Sequence, residues 1–177
     1  MHGRRCSSDS RAVPFLRYAC LLLAVLGVFL AGDIQAQNID DKKKEVVDFF
    51  RSVEDSFREK NVPEIIRHVH KDLSYIMTYS TDESFSFLES DFEKYRVNVG
   101  SFFKSKPEIH EYSIIVDDIQ ISGDGFMVLA RLKSVVQLTG IINSCDASAN
   151  YLIQKVKNEY LIREVRGDAT CINTMVN

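Results

Sequence analysis

The stretch Asn150-Tyr-Leu-Ile-Gln-Lys-Val-Lys-Asn-Glu-Tyr-Leu-Ile162 sets the architecture of the 177-residue chain. Tyr151–Val156 and Tyr160–Val165 are β-favouring runs separated only by Lys157-Asn-Glu159, the pattern of a short hairpin. Facing residues of a hairpin have a constant index total, here about 316 to 317. Carried outward, that register sets Cys145 opposite position 171 or 172, and position 171 is a cysteine. Directly opposed Cα atoms lie roughly 4.5–5.5 Å apart, a span that a disulfide accepts. A Cys145–Cys171 bridge is therefore expected, contributing on the order of 3 kcal/mol by restricting the unfolded chain. Two buried free thiols are the alternative.

Working back from the hairpin, the periodicity stays that of strands as far as Tyr112. Tyr112–Ile121 is the first of them, Gly123-Asp-Gly125 makes a tight turn, and Phe126–Leu138 is a long strand. In that strand Phe126, Val128, Ala130, Leu132, Ser134 and Val136 alternate with Arg131, Lys133 and Gln137, so one face turns to a core and the other to water. Further back the spacing becomes helical. Val46, Phe49, Phe50, Val53 and Phe57 form one apolar stripe of a helix over Asp40–Lys60. Asn61 breaks it, and Pro63 opens a short second helix with Ile65, Ile66 and Val69 inward. Leu73–Ser80 reads as a strand. Ser90 followed by Glu93 reads as a capping box for a third helix, whose apolar side is Phe92, Tyr95, Val99, Phe102 and Phe103 and which Pro107 closes. Helices followed by a run of antiparallel strands is an α+β pattern.

The first 36 residues have a different character. Arg4, Arg5, Arg11 and Arg17 precede an apolar run from Tyr18 to Leu30, and Ala31-Gly-Asp-Ile-Gln-Ala36 follows. This is the layout of a secretory signal peptide, and the run is shorter than the roughly 20 apolar residues a membrane span needs. The expected division is a signal peptide over 1–36 and a single domain over 37–177, exported to the periplasm or secreted, with no stable membrane span after cleavage. Setting aside the four Arg and two Asp of the leader leaves 18 basic and 23 acidic side chains, a formal charge of −5. No basic stripe remains, which argues against nucleic acid as a partner. Of four cysteines only Cys145 and Cys171 stay, and an oxidising compartment favours pairing them.

The helix pair Val46–Phe57 and Asn61-Val-Pro-Glu-Ile-Ile66, the phrase Ile119-Gln-Ile-Ser-Gly-Asp-Gly-Phe-Met-Val128 and the closing hairpin resemble the nuclear transport factor 2-like superfamily. That is the curved-sheet cone fold shared with ketosteroid isomerase, polyketide cyclases and limonene epoxide hydrolase, and the similarity runs from about Asp40 to Ala169. It implies three N-terminal helices packed on a strongly curved antiparallel sheet, an apolar pocket between them, and a homodimer formed through the sheet. Isomerase-type chemistry in that family needs an acid near the end of the first strand, and a tyrosine plus a second acid. Here Phe49 and Phe50 stand where the tyrosine would lie, Leu73–Ser80 holds no acid, and the closing strand 150–156 holds none.

The candidate ligand-binding residues are Tyr75, Met77 and Tyr79, which alternate on one face of the first strand, with Ser134 and Tyr151 on neighbouring strands. Ordinary core packing is the competing reading of the first three, and the sequence leaves the direction of Tyr151 open. Phe85, Phe87 and Leu88 read either as an apolar lip on a pocket or as a hydrophobic staple for the third helix. His68-Val-His70 looks metal-like, but helical residues two apart do not share a face, and exposed helix-end histidines are the better reading. No metal, cofactor or catalytic residue is expected. The functional expectation is an exported, non-catalytic domain that binds a small apolar molecule. The alternatives are a protein-interaction or dimerisation module of an envelope assembly, and an enzyme using residues such as Asp82 or Glu83 with Tyr79.

Overall fold

The computed structural model describes residues 39–81 and 84–176. The leader over 1–36, and the candidates Asp82 and Glu83, lie outside the described residues. Two compact units divide the chain, Met1–Lys44 and Glu45–Asn177, and of the first the described residues 39–44 are helical.

Helix α1 covers residues 39–58. Its stripe is as expected, with Val46, Phe49, Phe50 and Val53 buried. Lys60 takes a positive φ, and Asn61 then caps α2 (Val62–Arg67) by accepting a bond from the Glu64 amide, with Pro63 in the first turn. Strand β1 begins at Val69 rather than Leu73, because Val69 already pairs with Ile162 ahead of a bulge. After it come β2 (Phe85–Ser90), α3 (Phe92–Lys104), β3 (Glu108–Ser122), β4 (Gly125–Leu138), β5 (Ile141–Val156) and β6 (Glu159–Met175).

The six strands form one curved, unclosed sheet in the order β2-β1-β6-β5-β4-β3. It is mixed, which corrects the expectation of an antiparallel sheet. β1 and β6 run parallel, every other neighbouring pair antiparallel. The parallel contact joins the first strand to the last, so no hairpin signal in the sequence reports it. Bulges in the β3–β4 and β5–β6 ladders bend the sheet, since an extra residue kinks and twists the strand that carries it.

Strand β2 was not expected. Ser90 ends it, and the true cap of α3 is Asp91, whose carboxylate accepts from the Lys94 amide at 2.8 Å. The Ser-x-x-Glu pattern is thus one residue out of step with the helix.

In the closing hairpin the index total is 315 beside the turn, as in Lys155↔Tyr160. Lys157 and Asn158 both have positive φ, as a two-residue primed turn requires. The bulge between Leu152 and Ile153 adds one, so Cys145 meets Cys171 at 316 with Cα atoms 4.1 Å apart and the disulfide formed.

Strand β3 is an edge, and edges leave unpaired amides and carbonyls. Here α1 covers part of it. Glu54 accepts from the Ile114 amide at 2.9 Å, Arg58 donates to the Tyr112 carbonyl at 2.8 Å, and the two side chains pair at 2.9 Å. That clamp fixes the helix over the concave side of the sheet.

Candidate functional site

Between α1, α3 and the inner face of the sheet lies a cavity of about 650 Å³. α1 contributes Phe50, Val53 and Phe57, and α3 contributes Tyr95, Val99 and Phe102. The inner row of β4 is fully buried at Phe126, Val128 and Ala130, and half-buried from Leu132 to Leu138. Thr139 and Ile141, exposed at the β4–β5 turn, also line the cavity.

All five sequence candidates line this one space: Tyr75, Met77, Tyr79, Ser134 and Tyr151. The open direction of Tyr151 resolves inward. It faces Val128 across the ladder, and its ring meets Phe50 edge-on at 5.1 Å. The hydroxyls of Tyr75 and Tyr79 hydrogen-bond to each other at 3.0 Å.

Six further polar residues of the lining escaped the sequence reading, Asn98, Thr139 and Asn143 among them. Tyr95 was placed on the apolar side of α3, and Tyr112 opened a strand. Both rings line the cavity, Tyr95 tilted against Tyr75 at 5.7 Å and Tyr112 stacked on Phe57 at 4.6 Å. Alternation along β3 could have flagged Tyr112. Ser90 was masked by its misreading as a cap.

Of Phe85, Phe87 and Leu88, only Leu88 lines the cavity. It faces Met77 across the β1–β2 ladder, so alternation turns Phe85 and Phe87 to the other side, 74% and 60% exposed. They are neither a lip nor a helix staple.

The electrostatics are simple. No Asp, Glu, His, Lys or Arg is among the described residues that line the cavity, and its cysteine, Cys145, is in the disulfide. The phenols are its titratable groups, and burial pushes Tyr75, Tyr95, Tyr112 and Tyr151 upward. Tyr75 and Tyr112 stand well above the ordinary tyrosine value, Tyr95 is raised, and Tyr151 is pushed up to about 12, each chiefly by desolvation and then by neighbouring phenols. At neutral pH they are therefore uncharged hydrogen-bond donors, neither bases nor nucleophiles.

The two histidines are half-buried rather than exposed. His68 ends α2, and its ring meets Phe49 edge-on at 5.4 Å. His70 lies in β1, where its Nδ1 accepts from the Asp72 amide at 3.1 Å. Among the described residues no group of three or more His, Cys, Asp or Glu could hold a metal ion.

His68 borders a second, polar cleft of about 530 Å³ with Ser52, Glu64, Arg67 and Glu159. The cleft invites comparison with a serine nucleophile, but two serine hydroxyls share the one histidine nitrogen. Ser56 gives its one proton to the Ser52 carbonyl at 2.8 Å, so toward His68 Nε2, at 3.3 Å, it can only accept. In the tautomer that satisfies this contact Nε2 carries the ring proton, and His68 is then no base for Ser52 Oγ, 3.3 Å from the same nitrogen.

Burial lowers the His68 pKa below its ordinary 6.5, opposed by Glu64 and Glu159 and assisted by Arg67. The folded state thus holds fewer protons at this ring than the unfolded state once the pH drops below about 6.5. Stability should fall as pH decreases from 6.5 to the lower folded value. Urea titrations of His68→Gln should show a shallower loss over that window than the natural chain. Equal slopes would remove His68 as the cause.

No protein-family model matches the chain, and no curated protein matches it. Solved structures do. A conserved protein from Planctomyces limnophilus superposes with a TM-score of 0.59 at 11% identity, covering 77% of this chain and 99% of that one. An NTF2-like protein from Cytophaga hutchinsonii gives 0.52 at 10%, covering 75% and 98%. This is the nuclear transport factor 2-like fold. An NTF2-like protein of unknown function from Shewanella oneidensis agrees, with 0.54 at 12% identity, covering 72% and 98%. At such identities the likeness is one of fold alone. An NTF2-like cavity can serve different chemistries, and the side chains that line this one have to be read for themselves.

Proposed function

We propose that the chain is an exported domain that binds an uncharged, largely apolar small molecule in its NTF2-like cavity and does not transform it. One observation carries the reading: the described lining holds phenols, hydroxyls and amides among apolar side chains, with no ionisable group that changes state near neutral pH. A buried ionic ligand would lack a counter-charge, at a cost of several kcal/mol. General acid–base chemistry would lack a group with a pKa near the working pH. At about 30 Å³ per water-sized group, the volume admits a ligand of roughly 20 non-hydrogen atoms. Export is supported by the leader pattern and by the disulfide.

The test uses the neutral fluorophore N-phenyl-1-naphthylamine. Saturable, one-to-one enhancement of its fluorescence is expected, together with competition by neutral hydrocarbons and not by their carboxylates. A flat titration would end the reading. A mature N-terminus at Gln37 in secreted material would support export, and its retention with the cells as an uncleaved chain would oppose it.

A second reading, homodimerisation through the sheet, is favoured by Ile115, Met127 and Leu129, which are exposed on the convex side beside the Asp117–Arg131 ion pair. Sedimentation as a monomer at every concentration would remove it.

A further inference from the structure

Ser90 is only 3% exposed, and its Oγ has no hydrogen-bond partner. Such a group costs stability with nothing in return from the protein. Its position suggests where the return comes from. Ser90 is the last residue of β2, it lines the cavity, and it faces Tyr75 directly across the ladder. Side chains at directly opposed positions share a face with Cβ atoms about 5 Å apart. Tyr75 in turn is bonded to Tyr79. That bond uses one of the two phenolic protons and leaves the other free. The β1–β2 wall therefore presents two hydroxyl protons unengaged by the protein, one from Ser90 and one from the tyrosine pair. A turn of Ser90 between its staggered rotamers re-aims its Oγ without moving the backbone.

We propose that this wall is a subsite for an acceptor oxygen, and that the molecule held in the cavity is a neutral carbonyl compound whose oxygen accepts from Ser90 Oγ and from the Tyr75–Tyr79 pair. This rests on the cavity reading above and narrows it. Beside the Tyr95 ring, the lining nearby includes the apolar Met77, Leu88 and Val165, so the body of the ligand is hydrocarbon and its oxygen sits at the β2 side.

The probes are fluorene and 9-fluorenone, a pair of nearly the same shape that differ by a carbonyl, each displacing N-phenyl-1-naphthylamine from the full folded chain. Fluorenone should bind roughly tenfold more tightly than fluorene to the natural protein, the worth of one to two hydrogen bonds. In Ser90→Ala that preference should shrink to about two- to threefold, while fluorene affinity stays unchanged. The free Ser90→Ala protein should also melt higher, because a buried donor without a partner has been removed. Equal affinity for the two probes in the natural protein, or an undiminished preference in Ser90→Ala, would overturn the subsite while leaving the cavity reading intact. A lower melting point for Ser90→Ala would show that Oγ has a structural partner and would overturn it as well. If N-phenyl-1-naphthylamine itself does not bind, the cavity reading fails and the subsite with it.

Discussion

Gly167→Ala should destabilise the protein by about 3 kcal/mol or more, and Gly100→Ala should stabilise it. Gly167 sits in β6, opposite Ala149 on β5 and Met77 on β1. A Cβ there would lie 2.1 Å from the Ser148 carbonyl oxygen and 2.6 Å from both Cα and Cβ of Ala149. Two of those three atoms are backbone of a strand paired on both sides, so they cannot swing away as a long side chain would. Accommodating the methyl means parting β5 from β6 beside the core, and overpacking of that kind costs 1–3 kcal/mol or more. For a domain of this size each kcal/mol moves Tm by about 2–4 °C, so a drop of roughly 6–12 °C is expected in a thermal melt. Gly100 is the control of opposite sign. It lies inside α3 with nothing within 4 Å of the added Cβ. Alanine there limits the unfolded chain and favours the helix, a gain of about 0.5–1 kcal/mol. If both substitutions lowered Tm alike, the close strand approach at Gly167 would not be the cause.

That glycine belongs to a row that explains the cavity. Ala130, Ala149 and Gly167 stand abreast on the inner face of β4, β5 and β6, with Ala147 and Ala169 paired in the next row. At one end of the same face Phe126, Ile153 and Ile162 fill the space against α1. Toward the other end the floor is made of small residues, and the side chains above it come from α1 and α3. A bent sheet with a low floor and helices held off by aromatic rings leaves a hollow. Phe50, only 1% exposed and packed on Tyr151, marks the boundary between the filled and the unfilled parts.

Much of this was legible in the sequence, for local reasons. The stripe Val46–Phe50–Val53 and the alternation in Phe126–Val136 are patterns set by helix and strand periods, which neighbours in sequence report faithfully. The facing of Cys145 and Cys171 follows from one hairpin extended outward. Three features were hidden because their causes are not local. The parallel pairing of Tyr75 with Val165 joins segments 90 residues apart. Strand β2 carries two exposed phenylalanines on its outer face, so with Leu88 they read as a lip or a staple rather than as a strand, and Ser90 at its inner end was overlooked. Ser90 followed by Glu93 matched a cap pattern by chance, and that hid the buried hydroxyl with no partner. Within the site, Tyr75 and Tyr79 were found because strand parity puts them on one face, whereas parity left Tyr151 open and only its pairing with Val128 turns it inward. Tyr95 was missed as a site residue because, on a helix, an inward tyrosine and a core aromatic have the same spacing.

The disulfide should behave as a clamp on the unfolded chain rather than as a builder of the fold. Cys145 and Cys171 sit within a β5–β6 ladder paired almost continuously from Ile141↔Met175 to Val156↔Glu159. The backbone therefore already holds the two positions at 4.1 Å between Cα atoms. What the bond adds is a restriction of the 26-residue separation in the denatured ensemble, worth about 3 kcal/mol in the loop-entropy account. The double variant Cys145→Ala, Cys171→Ala should thus fold to the same sheet, with unchanged far-ultraviolet circular dichroism. It should melt roughly 6–12 °C lower and, with alanine continuing the small-residue floor, bind N-phenyl-1-naphthylamine with affinity within about twofold of the natural chain. Reduction of the natural protein should lower its Tm by a similar amount and should add nothing to the variant. If instead the variant lost its sheet signal or its ligand site, the bridge would be shaping the folded state, and the register carried outward from Asn150–Ile162 would not suffice to hold β5 against β6.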